Sequence, residues 1–185
     1  MIKTIIMKKI FSAILLTVFF YSLNAQTEKG DWLVGGRVDL NTAENSSQIR
    51  FNPNAGVFVI NNLAIGGNFA IDYAKSGDVK TTTFGIGPFA RYYFTTSNAK
   101  PLIHTSFNYI SSKIKGPSTS ITNNGFNFLA AGGVALFMNQ NVALEILAGY
   151  SHTKYKDFDG SGGFNLGIGF QVYLSKKQVD KMRSK

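Results

Sequence analysis

Apolar and polar residues alternate in runs of about ten residues along most of this chain, and no stretch carries the longer period of an amphipathic helix. The runs are Trp32–Leu40, Gln48–Ile60, Leu63–Tyr73, Thr82–Phe94, Pro101–Ile110, Gly125–Met138, Val142–His152 and Gly163–Leu174. Clusters of Asn, Ser, Gly, Lys and Thr divide them. A period of two puts successive side chains on opposite faces of a strand, so the pattern predicts an all-β chain of eight antiparallel strands. The connections alternate in length. Asn61–Asn62, Thr95–Lys100 and Asn139–Asn141 are short, whereas Asn41–Ser47, Ala74–Thr81, Ser111–Asn124 and Thr153–Gly162 are longer.

Alternation alone does not say which face meets solvent. In the last run Phe164, Leu166, Ile168, Phe170, Val172 and Leu174 oppose Gly163, Asn165, Gly167, Gly169, Gln171 and Tyr173. In the first, Trp32, Val34, Gly36, Val38 and Leu40 oppose Leu33, Gly35, Arg37 and Asp39. No lysine falls within any run, whereas a water-washed exterior carries many. The polar face is mostly Gly, Asn, Ser and Ala, which suits a crowded small-barrel interior. The apolar face bears an aromatic near one end of seven runs: Phe51, Tyr73, Phe84, Tyr109, Phe126, Tyr150 and Phe164. Trp32, Tyr92 and Phe94 mark the other end. Two such girdles are expected where a barrel wall meets the two interfaces of a bilayer. The expectation is therefore a closed eight-stranded transmembrane β-barrel, with its longer loops outside and both termini in the periplasm. Pro53 and Pro88 fall inside runs, where each removes a ladder hydrogen bond, and bulges are the expected accommodation.

The segment before the first run has a different character. Residues 1–25 combine Lys3, Lys8 and Lys9, an apolar stretch from Ile10 to Leu23, and Ala25 before Gln26. That is the layout of a cleavable signal peptide, with Met7 as an alternative start. The domain plan is then 1–25 signal peptide, 26–174 barrel and 175–185 a short basic tail, for which disorder is expected. Removing three lysines lowers the net charge from +9 to +6, and five further basic residues sit in the last ten positions. The basicity thus belongs to the two ends, and no Lys/Arg stripe suggests nucleic acid. The absence of cysteine excludes disulfides, cysteine-held metals and a cysteine lipid anchor. No metal or cofactor motif is present.

The ionisable residues on the inward face are Arg37, Asp39, Arg50, Asp72, Arg91 and Glu145. Charges so placed require partners, and the guanidinium fork suits carboxylates. Arg91 and Glu145 lie at similar depth, so Glu145 is expected to pair with Arg91 or Arg37. The set reads as a network plugging the lumen; a narrow solute pore lined by the same residues is the alternative. His104 and Ser106, with Asn108 beyond, share one strand face. This H-x-S pair faintly resembles the lipid A deacylases of the outer membrane, but nucleophile chemistry needs a carboxylate to orient the base, and none is evident. Lys113, Lys115, Lys154 and Lys156, with Lys75 and Lys80, crown the external loops and are candidates for lipopolysaccharide phosphates.

The stretches FNPNAGVFVINNLAIGGNF (Phe51–Phe69) and FGIGPFARYYF (Phe84–Phe94) resemble the small outer-membrane β-barrel proteins sometimes labelled porin family. The likeness is carried by the spacing of Pro53 and Gly56, by Asn62–Gly66 and by Gly87–Tyr93. It implies an architecture similar to OmpX and the membrane domain of OmpA, in a Gram-negative cell envelope. The last strand resembles the signal read by the barrel-assembly machinery in Asn165, Gly167 and Phe170, but has Val172 where an aromatic is usual. The resemblance says little about activity; the expectation for the chain is a monomer among outer-membrane lipids and lipopolysaccharide, non-catalytic, with a structural or surface-interaction role. Gly30-Asp31-Trp32 resembles a lipocalin start, but a soluble carrier is at odds with strands that lack lysine.

Overall fold

The computed structural model describes residues 27–43, 45–94, 97–156 and 158–184. The expected signal peptide, 1–25, lies outside the described residues. The strands are β1 (Trp32–Ala43), β2 (Ser46–Ile60), β3 (Leu63–Ser76), β4 (Val79–Tyr93), β5 (Ala99–Lys115), β6 (Ser120–Phe137), β7 (Val142–Tyr155) and β8 (Ser161–Leu174). Each pairs antiparallel with the next, and β1 pairs with β8, so the sheet closes. Closure removes the edges that an antiparallel sheet otherwise exposes.

Burial follows the predicted period of two. On β5 it alternates strictly from Lys100 to Ile110, with Leu102, His104, Ser106 and Asn108 inward and Ile103, Thr105, Phe107 and Tyr109 outward. The exposed face is the apolar one all round the barrel, and Phe164 is 90% exposed. In water so large an apolar surface would drive association; in lipid it is the ordinary solvated face. All ten girdle aromatics lie on it. Several touch one another: Tyr109 meets Phe126 edge-on at 5.7 Å, and Tyr150 meets Phe164 edge-on at 5.5 Å.

Neither proline produces the expected bulge. Pro53 stays in register with Gly36 of β1, and the β2–β3 pairs stop at Phe51↔Ile71 and resume unshifted at Asn54↔Asn68. Pro88 faces Gly67 of β3, while β4–β5 pairing lapses between Ile86↔Tyr109 and Phe89↔Ser106. In an antiparallel ladder each N–H points to one neighbour only, so each proline interrupts one side of its strand. The β2–β3 ladder does shift register between Phe58 and Ile60, away from Pro53.

The segments expected to be long external loops are instead mostly strand. Gly77 and Asp78 alone join β3 to β4, with Gly77 left-handed (φ 56°), and Asn45 (φ 61°) leads into β2. Polar residues on both faces, such as Thr81–Thr83 and Ser111–Ser112, hide the alternation there. Five of the six lysines expected in external loops consequently lie in strands: Lys75, Lys80, Lys113, Lys115 and Lys154. Each stands further out along its strand than the girdle aromatic, so the lipid-facing stretch keeps none of them. Lys100, expected in a turn, is an inward residue of β5 and fully buried.

The basic tail is ordered rather than disordered. Lys176–Arg183 form a helix, α1, whose N-cap Ser175 makes a capping box with Gln178. Asp31 ties it to the start of the barrel: Oδ1 accepts from the Lys176 backbone N–H at 3.1 Å and Oδ2 from that of Glu28 at 3.1 Å.

Candidate functional site in the lumen

The lumen has two storeys. In the lower one, towards the chain termini, Leu33, Phe58, Leu102, Phe137 and Tyr173 are buried against one another. Phe137 and Tyr173 rings lie 4.7 Å apart, and Phe58 and Tyr93 5.8 Å. Small inward residues admit these rings. Gly56 and Gly66 are paired across β2 and β3, and a Cβ on either would come within 2.8 Å of the Phe89 ring.

On this apolar floor sits a polar knot. Arg91 Nη1 donates to Glu145 Oε2 at 2.8 Å and to Oε1 at 3.1 Å. Tyr93 and Tyr173 hydroxyls donate to the same Oε1 at 3.1 and 3.0 Å, and lie 2.8 Å from each other. The Arg91 and Glu145 side chains are 3% and 1% exposed, so the pair is shielded from water. Glu145, on β7, accepts hydrogen bonds from two other strands: β4, through Arg91 and Tyr93, and β8, through Tyr173. Of the two partners expected for Glu145, the structure places Arg91 against it. Arg37 instead faces Asp39, with Nε 3.1 Å from the carboxylate. Arg50 pairs with Asp72 at 2.8 Å, and Gln48 adds a hydrogen bond to that carboxylate at 2.7 Å.

Two members of the knot, Tyr93 and Tyr173, and Lys100 beside the floor carry weaker sequence signals. Tyr93 shares parity with Arg91, which was enough to place it inward. Tyr173 was on the inward face but carried no charge to draw notice. Lys100 was hidden by its assignment to a turn; its ammonium donates to Thr27 Oγ1 at 2.9 Å and sits 5.3 Å from the Phe137 ring centroid.

Above the knot the lumen widens into a polar vestibule of about 100 Å³. Inward asparagines cross it in two stretches: Asn54 pairs with Asn68 and Asn68 with Gly87, and beyond the lapse in β4–β5 pairing Asn108 pairs with Asn127 and Asn127 with Thr153. The side-chain oxygens of Asn54, Asn68 and Asn108 are buried without a protein hydrogen-bond partner. Such acceptors face solvent or a polar guest rather than an apolar filling. His104 does not form a catalytic pair. Its Nδ1 receives the Arg91 Nε–H at 3.3 Å, and its ring packs on Phe89 at 5.6 Å, so a cation stands where an orienting carboxylate would be needed. Ser106 instead accepts from Asn108 at 3.4 Å. Among the described residues no group of three His, Asp or Glu side chains is placed to hold a metal ion.

The outer rim carries the lysines. Lys113, Lys115, Lys154 and Lys156 are all exposed. Lys80 is paired directly with Lys75 on one side and Lys115 on the other, so three ammonium-bearing positions abut across β3, β4 and β5.

No protein-family model matches the chain, and no curated protein matches it. Solved structures do. Neisserial surface protein A shares 19% identity with a TM-score of 0.54, covering 77% of this chain and 94% of its own. The N-terminal β-barrel domain of Pseudomonas aeruginosa OprF shares 11% at 0.57, covering 79% and 98%. The outer membrane protein OprG of the same organism shares 9% at 0.57, covering 83% and 99%. At these identities the likeness establishes the fold: a small eight-stranded barrel of the outer-membrane type.

Proposed function

We propose that this chain is an integral outer-membrane barrel, non-catalytic and closed to solute flow, that works through its external surface. The observation that carries the reading is the lower lumen, where an apolar floor and the Arg91–Glu145–Tyr93–Tyr173 knot fill the bore. A filled bore favours a structural or surface-interaction role over the alternative of a narrow porin-like channel. Planar-bilayer recording of the refolded barrel tests it. No steady conductance is expected; steady channels abolished by Arg91→Ala or Glu145→Ala would overturn it.

The surface partner best supported is the phosphate-bearing glycolipid of the outer leaflet. Like charges directly opposite one another in a sheet are destabilising, and an anion between them reverses the sign. The Lys75–Lys80–Lys115 row lies on the outward face just beyond the aromatics, at the level of lipid headgroups. Lys113, Lys154 and Lys156 extend the same cationic rim. Binding of purified lipopolysaccharide should fall about tenfold or more when Lys75, Lys80 and Lys115 are all replaced by Ser, and should weaken with salt in the parent. Equal binding by parent and variant would refute the contact. Export by the segment 1–25 and insertion by the barrel-assembly machinery complete the proposal.

A further inference from the structure

The wall of the barrel is not evenly stitched. The β1–β8 pairs run only from Trp32↔Leu174 to Val38↔Ile168. Both strands continue outward past that point. Asp39–Ala43 remain paired with β2, and Ser161–Gly167 with β7. Between the two continuing arms is a cleft of about 230 Å³, lined by Asp39, Leu40, Gln48, Arg50, Phe164, Asn165 and Leu166.

The parity of these residues makes the cleft two-sided. Leu40, Phe164 and Leu166 are outward members of their strands and exposed. Asp39, Gln48, Arg50 and Asn165 are inward members. Arg50 and Asn165 also line the vestibule, so the two spaces share a wall. The gap therefore joins the lipid face to the polar lumen. The opening lies at the outer interface: on β8 it spans the girdle aromatic Phe164, and on β1 it begins at Val38, which is opposite the girdle residue Phe51.

Arg50 is the cation at this threshold. It spends Nε and Nη2 on Asp72, at 3.0 and 2.8 Å, and extends Nη1 towards Asn165 Oδ1 at a long 3.4 Å. Its side chain is 27% exposed, against 3% for Arg91. We infer that the gap between β1 and β8 is a lateral binding site for a long-chain carboxylate, whose head lies at Arg50 and Asn165 inside the barrel and whose acyl chain leaves between Leu40, Phe164 and Leu166 into the outer leaflet. The head exchanges a weak contact for a charge-assisted one, and the tail never leaves an apolar medium. Neutral single-chain lipids fit the cleft but gain nothing from the Arg50 arm.

This site rests on the membrane placement proposed above, so that is checked first: the full chain must require detergent for extraction. Recovery without detergent removes the membrane reading itself. The barrel in phospholipid nanodiscs is then photolabelled with palmitate carrying a diazirine next to the carboxylate, and adducts are mapped by peptide mass spectrometry. Adducts concentrated on Asp39, Gln48, Arg50 and Asn165 are expected. Adducts spread only over outward residues of all strands would mean a lipid annulus and overturn the site. Arg50→Gln should lower the inward adducts at least fivefold, with folding verified by heat-modifiable migration. Should that variant not fold, the cysteine-free chain allows Leu40→Cys with Leu166→Cys, bridged by a short bis-maleimide. Bridging should abolish inward adducts; their persistence would show entry by another route and overturn the window.

Discussion

Breaking the Arg91–Glu145 pair should be far more damaging than deleting it. Both side chains are essentially buried, so removing one partner strands a charge that has already lost its water. Such changes cost about 3–5 kcal/mol, whereas replacing both partners by apolar groups is often neutral. The structure also predicts an asymmetry. In Arg91→Met, Glu145 keeps the two tyrosine hydroxyls, at 3.1 and 3.0 Å. Hydrogen bonds to a charged group are worth about 1.5–3 kcal/mol, so the cost should sit near the lower limit, about 3 kcal/mol. In Glu145→Leu, Arg91 keeps only His104 Nδ1 at 3.3 Å and Tyr93 Oη at 3.5 Å, both long. That variant should lose about 4–5 kcal/mol. In the double variant Tyr93 and Tyr173 still satisfy each other at 2.8 Å, so the cost should be well under the sum of the two. Reversible urea unfolding in lipid vesicles measures all four proteins, with Trp32, the single tryptophan, reporting insertion. Single variants within about 1 kcal/mol of the parent, or a double variant whose cost is additive, would refute the picture of a desolvated pair.

Other consequences are open to simpler tests. Gly66→Val would push a side chain into the Ala55 carbonyl and the Phe89 ring, and should cost about 1–3 kcal/mol in the same unfolding assay. Asp31→Ala removes the acceptor for the Lys176 and Glu28 amides, so trypsin should cut at Lys176 or Lys177 several-fold faster while the heat-modifiable barrel band persists. Pro88→Ala restores an N–H where no bulge compensates for its absence, so stability should rise or change by less than about 1 kcal/mol; a large loss would show that the ring itself holds the strand.

How much of this was legible depended on which faces differ in polarity. Where one face meets lipid, the period of two is forced: a one-residue slip would turn Phe164, Leu166, Ile168 and Phe170 inward. The strand order and the inward position of Arg37, Asp39, Arg50, Asp72, Arg91 and Glu145 followed from parity alone. Beyond the lipid the constraint vanishes, because a hairpin in water may be polar on both sides. The outer ends of β3 to β6 therefore read as loops. Lys100 was lost for a related reason: a cation beside a turn looks solvent-exposed until the lead residue Thr27 is folded beneath it. Partner choice inside the lumen was also beyond a one-dimensional reading, since shared depth left Arg37 and Arg91 equivalent for Glu145. The shear of the closed sheet separates them, bringing Arg91 to Glu145 and leaving Arg37 beside Asp39.

The same closure sets the two ends of the β1–β8 seam against each other. In hydrocarbon an unpaired backbone group costs several kcal/mol, so a barrel is expected to be stitched throughout its lipid-facing height. Here the termini side is over-secured. Trp32 through Val38 are in register with β8, Asp31 binds the first turn of α1, and the Ser175 capping box fixes that turn directly after β8. The outer side is fastened by side chains alone, with Asp39 and Arg37 lying over Gly167 and Arg50 reaching Asn165, and further out Gly162 and Gly163 of β8 offer no side chain to pack across the gap. A seam held firmly at one end opens at the other without threatening closure of the barrel. The cost of exposed backbone at the opening is offset by polar groups already stationed on its inner margin, Asp39, Gln48, Arg50 and Asn165, which admit water or a polar head to the unpaired strands. The plugged floor and the loosened rim are thus complementary: the knot around Glu145 confines traffic to the outer half of the lumen, and the seam gives that half a side entrance.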